Sequence, residues 1–305
     1  MADWVGRDPL KAKAGDGEAE IQIQDDKLFY NPGLTGEDMD GDLDRFALPD
    51  WQRAREWCRA RNSQGIGCII DVLGENARSK EQAERSVQSY LRCIQAIRME
   101  GLRASVSVKL TDLGALYDQE LCRDNARLLC REAAEVGVGF EIDMEGTPLV
   151  PFTMETALTC AREGPLALAV LAYLDRSAED LSLLLEKGIR PRLVKGAYLG
   201  DTNDFQEVQN RLKALAKQAY ESRQPFSLGT HDPQVLQWAR ARFSIDRPVA
   251  FSFLMGLADR TKLELAGEGR EVFEYLPFGS RRGPYIARRE KYLRDLRELS
   301  RTPAP

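Results

Sequence analysis

The chain has 305 residues, 43% of them hydrophobic and 30% charged, with a net charge of −5. That balance supports a large core under a well-solvated, mildly acidic surface, and with basic residues spread rather than banked it excludes nucleic acid as the main partner. One histidine, His231, excludes a His-rich metal site, so no metal is expected.

Residues 1–48 carry little periodicity and many glycines and aspartates, including the acidic run from Gly36 to Asp44. A calcium loop would place its glycine two positions later and close on a glutamate at the twelfth, so the run reads as part of a partly flexible arm. The stretch Met1 to Asp8 lacks the apolar core of a signal peptide, and no segment approaches the roughly 18 apolar residues that span a bilayer. A cytoplasmic protein is expected. The six cysteines never fall at CxxC spacing and sit among apolar residues, which predicts buried, reduced thiols.

From Asp50 to Asn62 the spacing of Trp51, Ala54, Trp57 and Cys58 predicts a lead-in helix, placed to plug one end of a barrel. Eight short apolar or β-branched runs follow, at 66–73, 104–110, 138–144, 166–173, 191–198, 225–230, 248–255 and 272–276. Helical patterns follow them at 79–100, 118–135, 152–163, 176–187, 204–222, 233–242, 257–265 and 284–297. Eight strand and helix units joined by right-handed crossovers close a (β/α)8 barrel of the TIM type over residues 49–300, with the N-terminal arm at 1–48. No GxGxxG follows the first strand, which disfavours a dinucleotide-binding doubly wound sheet.

Chemistry in such barrels gathers at the C-terminal ends of the strands. Those positions hold Asp71, Lys109, Glu141, Asp143, Glu145, Tyr173, Arg192, Lys195, Thr230, His231, Leu254 and Tyr275. Barrel strands are buried, so an ion inside one is paired or functional, and six strands delivering polar groups to one rim favour a site. After the eighth run, Gly283-Pro284 suits a helix start, and Tyr285, Arg288 and Arg289 then share one face at i, i+3 and i+4. Two guanidinium forks beside a helix N-terminus suit a carboxylate.

The stretches Ile70 to Glu75, Ser107 to Leu110, Ile142 to Glu145, Arg192 to Tyr198, Thr230-His231, Phe253 to Gly256, and Tyr275, Pro277 and Gly279 with Tyr285, Arg288 and Arg289 resemble the proline dehydrogenases, FAD-dependent (β/α)8 enzymes. The resemblance runs in order from about residue 50 to 297. It implies oxidation of L-proline to 1-pyrroline-5-carboxylate by hydride transfer to FAD, with electrons passed to a quinone. Its implied substrate residues are Arg288, Arg289 and Lys109 on the carboxylate, Tyr275 and Leu254 walling the ring, Tyr285 closing the pocket, and Asp143 orienting the basic groups. Arg192 would lie beside the reactive edge of the flavin. Val194, Lys195, Gly196, Ala197, Tyr198, Thr230 and His231 would contact FAD, although His231 also reads as a satisfied strand-end residue.

The resemblance further implies a separate pyrroline-5-carboxylate dehydrogenase as partner, and at most transient association with the inner face of a membrane. Three positions depart from the family pattern. Leu171 stands where a glutamine meets the flavin, Leu199 follows Tyr198 where a tryptophan is usual, and Tyr292 replaces the glutamate that pairs with the first arginine. The losses keep open a flavin-poor relative that binds proline or a similar amino acid as a sensor. Strand lysines also leave open a Schiff-base lyase using Lys109 or Lys195. Tyr275 leaves little room for a ring hydroxyl, which favours proline over hydroxyproline.

Overall fold

The computed structural model describes residues 43–197, 200–299 and 301–305. Most of the N-terminal arm, residues 1–42, lies outside the described residues, as do Tyr198 and Leu199. Eight strands run in parallel and close in sequence order: β1 (Ile66–Val72), β2 (Ala104–Val108), β3 (Gly139–Ile142), β4 (Ala167–Leu171), β5 (Arg190–Val194), β6 (Phe226–Gly229), β7 (Val249–Leu254) and β8 (Glu271–Phe278). The helices are α1 (Trp51–Ser63), α2 (Lys80–Met99), α3 (Gln119–Val136), α4 (Val150–Cys160), α5 (Ser177–Glu186), α6 (Phe205–Glu221), α7 (Pro233–Arg242), α8 (Asp259–Gly267) and α9 (Gly283–Glu298). The expected (β/α)8 barrel is therefore the fold.

Local chemistry starts these helices where the chain leaves the strands. Ser79, Asp118, Asp204 and Asp232 each accept a backbone N–H from the first turn of α2, α3, α6 and α7, and each such cap contributes about 1 kcal/mol. Pro233 and Pro284 occupy first-turn positions, where a missing N–H costs nothing. Apart from β8, which runs on to Phe278, the strands are shorter than the apolar runs at their C-terminal ends. Lys109, Asp143, Tyr173 and Lys195 follow β2 to β5 rather than belonging to them, because the ladder ends where polar side chains turn into the barrel mouth.

Side chains alternate across each strand. On β8 Tyr275 enters the barrel, while its neighbour Glu274 meets α1 and α8 on the outside. This corrects the placing of the lead-in helix. Helix α1 does not plug an end; it packs against β1 and β8 through Ala54, Cys58 and Arg61, filling the flank that α9 leaves open. Residues 46–48, assigned to the arm, are buried, and Leu48 bridges the end of β8, its N–H donating to the Pro277 carbonyl and its carbonyl accepting the Gly279 N–H. All six cysteines are buried and free, as expected.

Candidate active site

Six charged or phenolic groups meet inside the C-terminal end of the barrel. Lys109 Nζ donates to Asp71 Oδ2 at 2.7 Å and to Tyr275 Oη at 3.2 Å, and it lies 3.3 Å from Asp143 Oδ2. Tyr275 Oη donates to Asp143 Oδ2 at 2.5 Å. The other Asp143 oxygen accepts from Ser107 Oγ at 2.8 Å and from Arg192 Nη2. Arg192 Nε stands 3.1 Å from Glu141 Oε2, and its guanidinium lies 5.4 Å from the Tyr275 ring centroid. Asp143 is thus the hub joining β2, β3, β5 and β8.

The two aspartates differ in character. Burial works against the Asp143 anion, yet Lys109, Arg192 and the Tyr275 hydroxyl hold its carboxyl well below the usual range. At Asp71 burial outweighs the pull of Lys109, Asp143 adds repulsion, and the carboxyl rises. Burial alone would lower Lys109, but Asp71 and Asp143 raise its ammonium well above the ordinary lysine value. Lys109 therefore stays protonated at neutral pH, which leaves no free amine for a Schiff base at that residue.

Helix α9 crosses this mouth. Arg288 makes a bidentate ion pair with Glu75, in the loop after β1. The counter-charge that Tyr292 fails to supply from the next turn comes instead from a residue 213 positions away. Arg289 stacks over Tyr285, 5.1 Å from its centroid. Tyr285 Oη and Arg289 Nε are buried and make no hydrogen bond among the described residues. Burial raises the Tyr285 phenol while Arg289 lowers it, with smaller contributions from Asp71 and Lys109, so this hydroxyl lies within the field of the hub.

The residues expected at a flavin line the mouth beyond β5 and β6. Lys195 sits 3.9 Å above the centroid of the Tyr292 ring and has no carboxylate within salt-bridge distance among the described residues. Burial and the nearby Arg289 push its ammonium down to about 8. Gly196 adopts φ +112, and a Cβ there would fall 1.8 Å from the Tyr173 ring, so only glycine lets this turn close over that aromatic. His231 is buried, and its Nε2 accepts the Leu254 N–H at 2.9 Å, the satisfied strand-end contact. Burial and the facing Lys262, Arg289 and Lys195 hold the imidazole neutral. Thr230 Oγ1 accepts from Asp232 N–H at 3.2 Å and keeps its own proton to donate. Leu171 is buried at the end of β4.

The mouth thus gathers Lys109, Asp143, Arg192, Leu254, Tyr275, Tyr285, Arg288 and Arg289 with Lys195, Gly196 and His231, while Tyr198 lies outside the described residues. Glu75 as the partner of Arg288 escaped sequence reasoning, because an ion pair across the barrel leaves no spacing signal. Glu145 and Thr111 form a buried pair there as well: Glu145 Oε2 accepts the Thr111 N–H at 3.0 Å and Oε1 the Thr111 hydroxyl at 2.6 Å. Burial lifts the Glu145 carboxyl to about 7 against the pull of those bonds.

Comparison with known proteins bears on this geometry. The proline dehydrogenase family model matches residues 54–291. Proline dehydrogenase 1 of Bacillus subtilis subsp. natto is 30% identical over 237 residues, covering 75% of this chain and 78% of the relative. The proline dehydrogenase of Deinococcus radiodurans is 28% identical over 246 residues, covering 76% of this chain and 79% of its own. The crystal structure of proline utilization A from Bdellovibrio bacteriovorus, inactivated by N-propargylglycine, shares the fold at a TM-score of 0.73 and 20% identity, over 81% of this chain and 32% of that one. A Bradyrhizobium japonicum proline utilization A mutant gives 0.69 and 20%, over 81% and 30%. This chain spans about a third of the length of those two structures. With more than half of its length matched by the family model, and a curated relative at 30% identity, the chain belongs to the proline dehydrogenase family.

Proposed function

We propose that this protein oxidises L-proline to 1-pyrroline-5-carboxylate with FAD as its cofactor and passes the electrons to a quinone. The observation that carries the reading is the pairing of buried, unbonded Arg289 Nε and Tyr285 Oη on α9 with the Lys109 and Asp143 hub beneath. A small amino-acid carboxylate satisfies both donors, with Arg288 and Lys109 adding positive charge on either side. Tyr275 and Leu254 wall the ring, and Asp143 holds Lys109, Arg192 and Tyr275 in one arrangement. Proline loses a hydride from C5 and the proton of its neutral amine, and a C5=N double bond forms.

The residues present fit a flavin dinucleotide. Among the described residues Lys195 is a cation lacking a carboxylate partner, and it suits a phosphate, while the Val194, Gly196 and Ala197 backbone and the Thr230 hydroxyl would supply donors beside it. His231 can meet the cofactor only through the ring edge away from Leu254, since Nε2 is occupied. When bound, FAD supplies the acceptor for the hydride that leaves C5. Arg192 places a permanent positive charge at the mouth, where it favours negative charge developing on reduction.

Among the described residues no helix is long and apolar enough to cross a membrane. In this reading the quinone is reached by transient contact with a membrane surface from the cytoplasmic side. A separate pyrroline-5-carboxylate dehydrogenase takes the product in this reading. The test is to reconstitute the purified protein with FAD and add L-proline without oxygen. Bleaching of the visible absorption of the oxidised flavin is expected. A spectrum that stays oxidised contradicts the reading, and proline-dependent thermal stabilisation of such a sample would favour an amino-acid sensor.

A further inference from the structure

Glu145 is almost fully buried beside the hub and, among the described residues, hydrogen-bonds Thr111 alone, through both oxygens, and none of the groups assigned to substrate. Its partner sits at a junction. Thr111 stands two residues after Lys109 in a tight turn where the Lys109 carbonyl accepts from the N–H groups of Asp112 and Leu113, at 3.1 and 3.3 Å. The Thr111 carbonyl accepts the Ala77 N–H at 2.9 Å from the loop after β1. Ala77 follows Asn76, which is held at φ +60, and Asn76 follows Glu75, the partner of Arg288. One carboxyl group therefore fixes two loops. One loop carries the Lys109 ammonium and the other carries the acid that places the Arg288 guanidinium.

We propose that Glu145 is a positioning residue for the carboxylate cradle, setting the separation of Lys109 from Arg288 through its two-point grip on Thr111. The inference rests on the proline reading above. The grip survives a change in protonation. Ionised, Glu145 accepts both Thr111 protons; neutral, its carbonyl oxygen accepts the N–H while its hydroxyl donates to Thr111 Oγ1. A glutamine reproduces the neutral arrangement, with its amide NH2 as the donor. Alanine removes both contacts and leaves the Thr111 N–H buried and unbonded, which frees the turn to shift. Misplacing two cations by a fraction of an ångström weakens capture of a carboxylate while leaving the flavin side of the mouth, beyond β5 and β6, unchanged.

The test compares steady-state kinetics and flavin content of Glu145→Ala and Glu145→Gln with the parent chain, all loaded with FAD. The expected result is a KM for L-proline raised about tenfold in Glu145→Ala. Its kcat stays within about twofold and its flavin content is unchanged, and both parameters stay near parental values in Glu145→Gln. A folded Glu145→Ala with parental KM overturns the proposal. So does a Glu145→Gln as impaired as the alanine variant, since charge or proton transfer would then matter rather than placement. Should Glu145→Ala fail to fold, Thr111→Val, which loses only the hydroxyl contact, is expected to raise KM about threefold with recovery in Thr111→Ser; a parental KM in Thr111→Val overturns the proposal. Turnover by the parent chain separates the two readings: an inactive parent removes the substrate assignment and the inference together, whereas an active parent with insensitive variants removes the inference alone.

Discussion

Two buried ion networks flank strand β8, one on each face, and they differ in how completely they are closed. Outside the barrel Glu274 is fully buried and takes Trp57 Nε1 at 2.5 Å, Arg61 Nε at 3.1 Å and Lys262 Nζ, while Asp259 closes onto both cations. Inside, one residue along the strand, Tyr275 joins a hub that shares Asp143 among Lys109, Arg192 and Ser107. Above that hub two donors on α9 make no hydrogen bond among the described residues. A closed network ties helices to a strand, and an incompletely bonded one has capacity for a ligand.

Substitutions separate the two. Glu274→Gln leaves Lys262 and Arg61 buried with only Asp259 as counter-charge, at a cost of about 3–5 kcal/mol of stability. Tm is expected to fall by roughly 5–8 °C, with KM for proline unchanged in the protein that remains folded; a moved KM at constant Tm would erase the distinction. Asp143→Asn should do the reverse. Lys109 keeps Asp71 and Arg192 keeps Glu141, so stability falls less, whereas kcat/KM drops about a hundredfold, near 2.7 kcal/mol. An active Asp143→Asn would remove Asp143 as the organiser of the mouth.

Smaller effects sharpen the contrast. Lys195→Met should weaken FAD binding about tenfold, near 1.4 kcal/mol. The free ammonium is held down to about 8, and an adjacent phosphate favours its charged form, so binding takes up a proton once the pH exceeds 8. FAD affinity of the parent should therefore decline from pH 8 towards the ordinary lysine range, and a calorimetric titration of Lys195→Met should show no such decline. An equal pH dependence in both proteins would place the phosphates elsewhere. On the outer face, Asp50→Ala removes the N-cap of α1 and should cost about 1 kcal/mol in denaturant unfolding without touching kinetics. A kinetic defect there would mean that the flank and the mouth are coupled.

The barrel was legible in the sequence because parallel strands are buried on both faces and read as apolar runs separated by amphipathic helices. Polar residues closing those runs, from Asp71 to Tyr275, marked the mouth for the same reason. The flank position of α1 was not legible, since its spacing shows only that one face is buried and not against what. Glu274 carried a signal that went unused: strand period two puts it opposite Tyr275, beneath the helices. The family resemblance implies an Arg288 partner one turn along the same helix, where Tyr292 stands, and a pair that crosses the barrel leaves no local spacing to read. Glu75 reaches it only through barrel closure.

The most direct test of the mouth as an amino-acid carboxylate site is the KM for L-proline of Arg289→Met, with flavin content measured on the same sample. Removing the guanidinium over Tyr285 forfeits a charge-assisted contact, so KM is expected to rise about a hundredfold, near 2.7 kcal/mol, with full flavin occupancy. A parental KM in fully loaded Arg289→Met would contradict the account and return this helix face to the solvated surface.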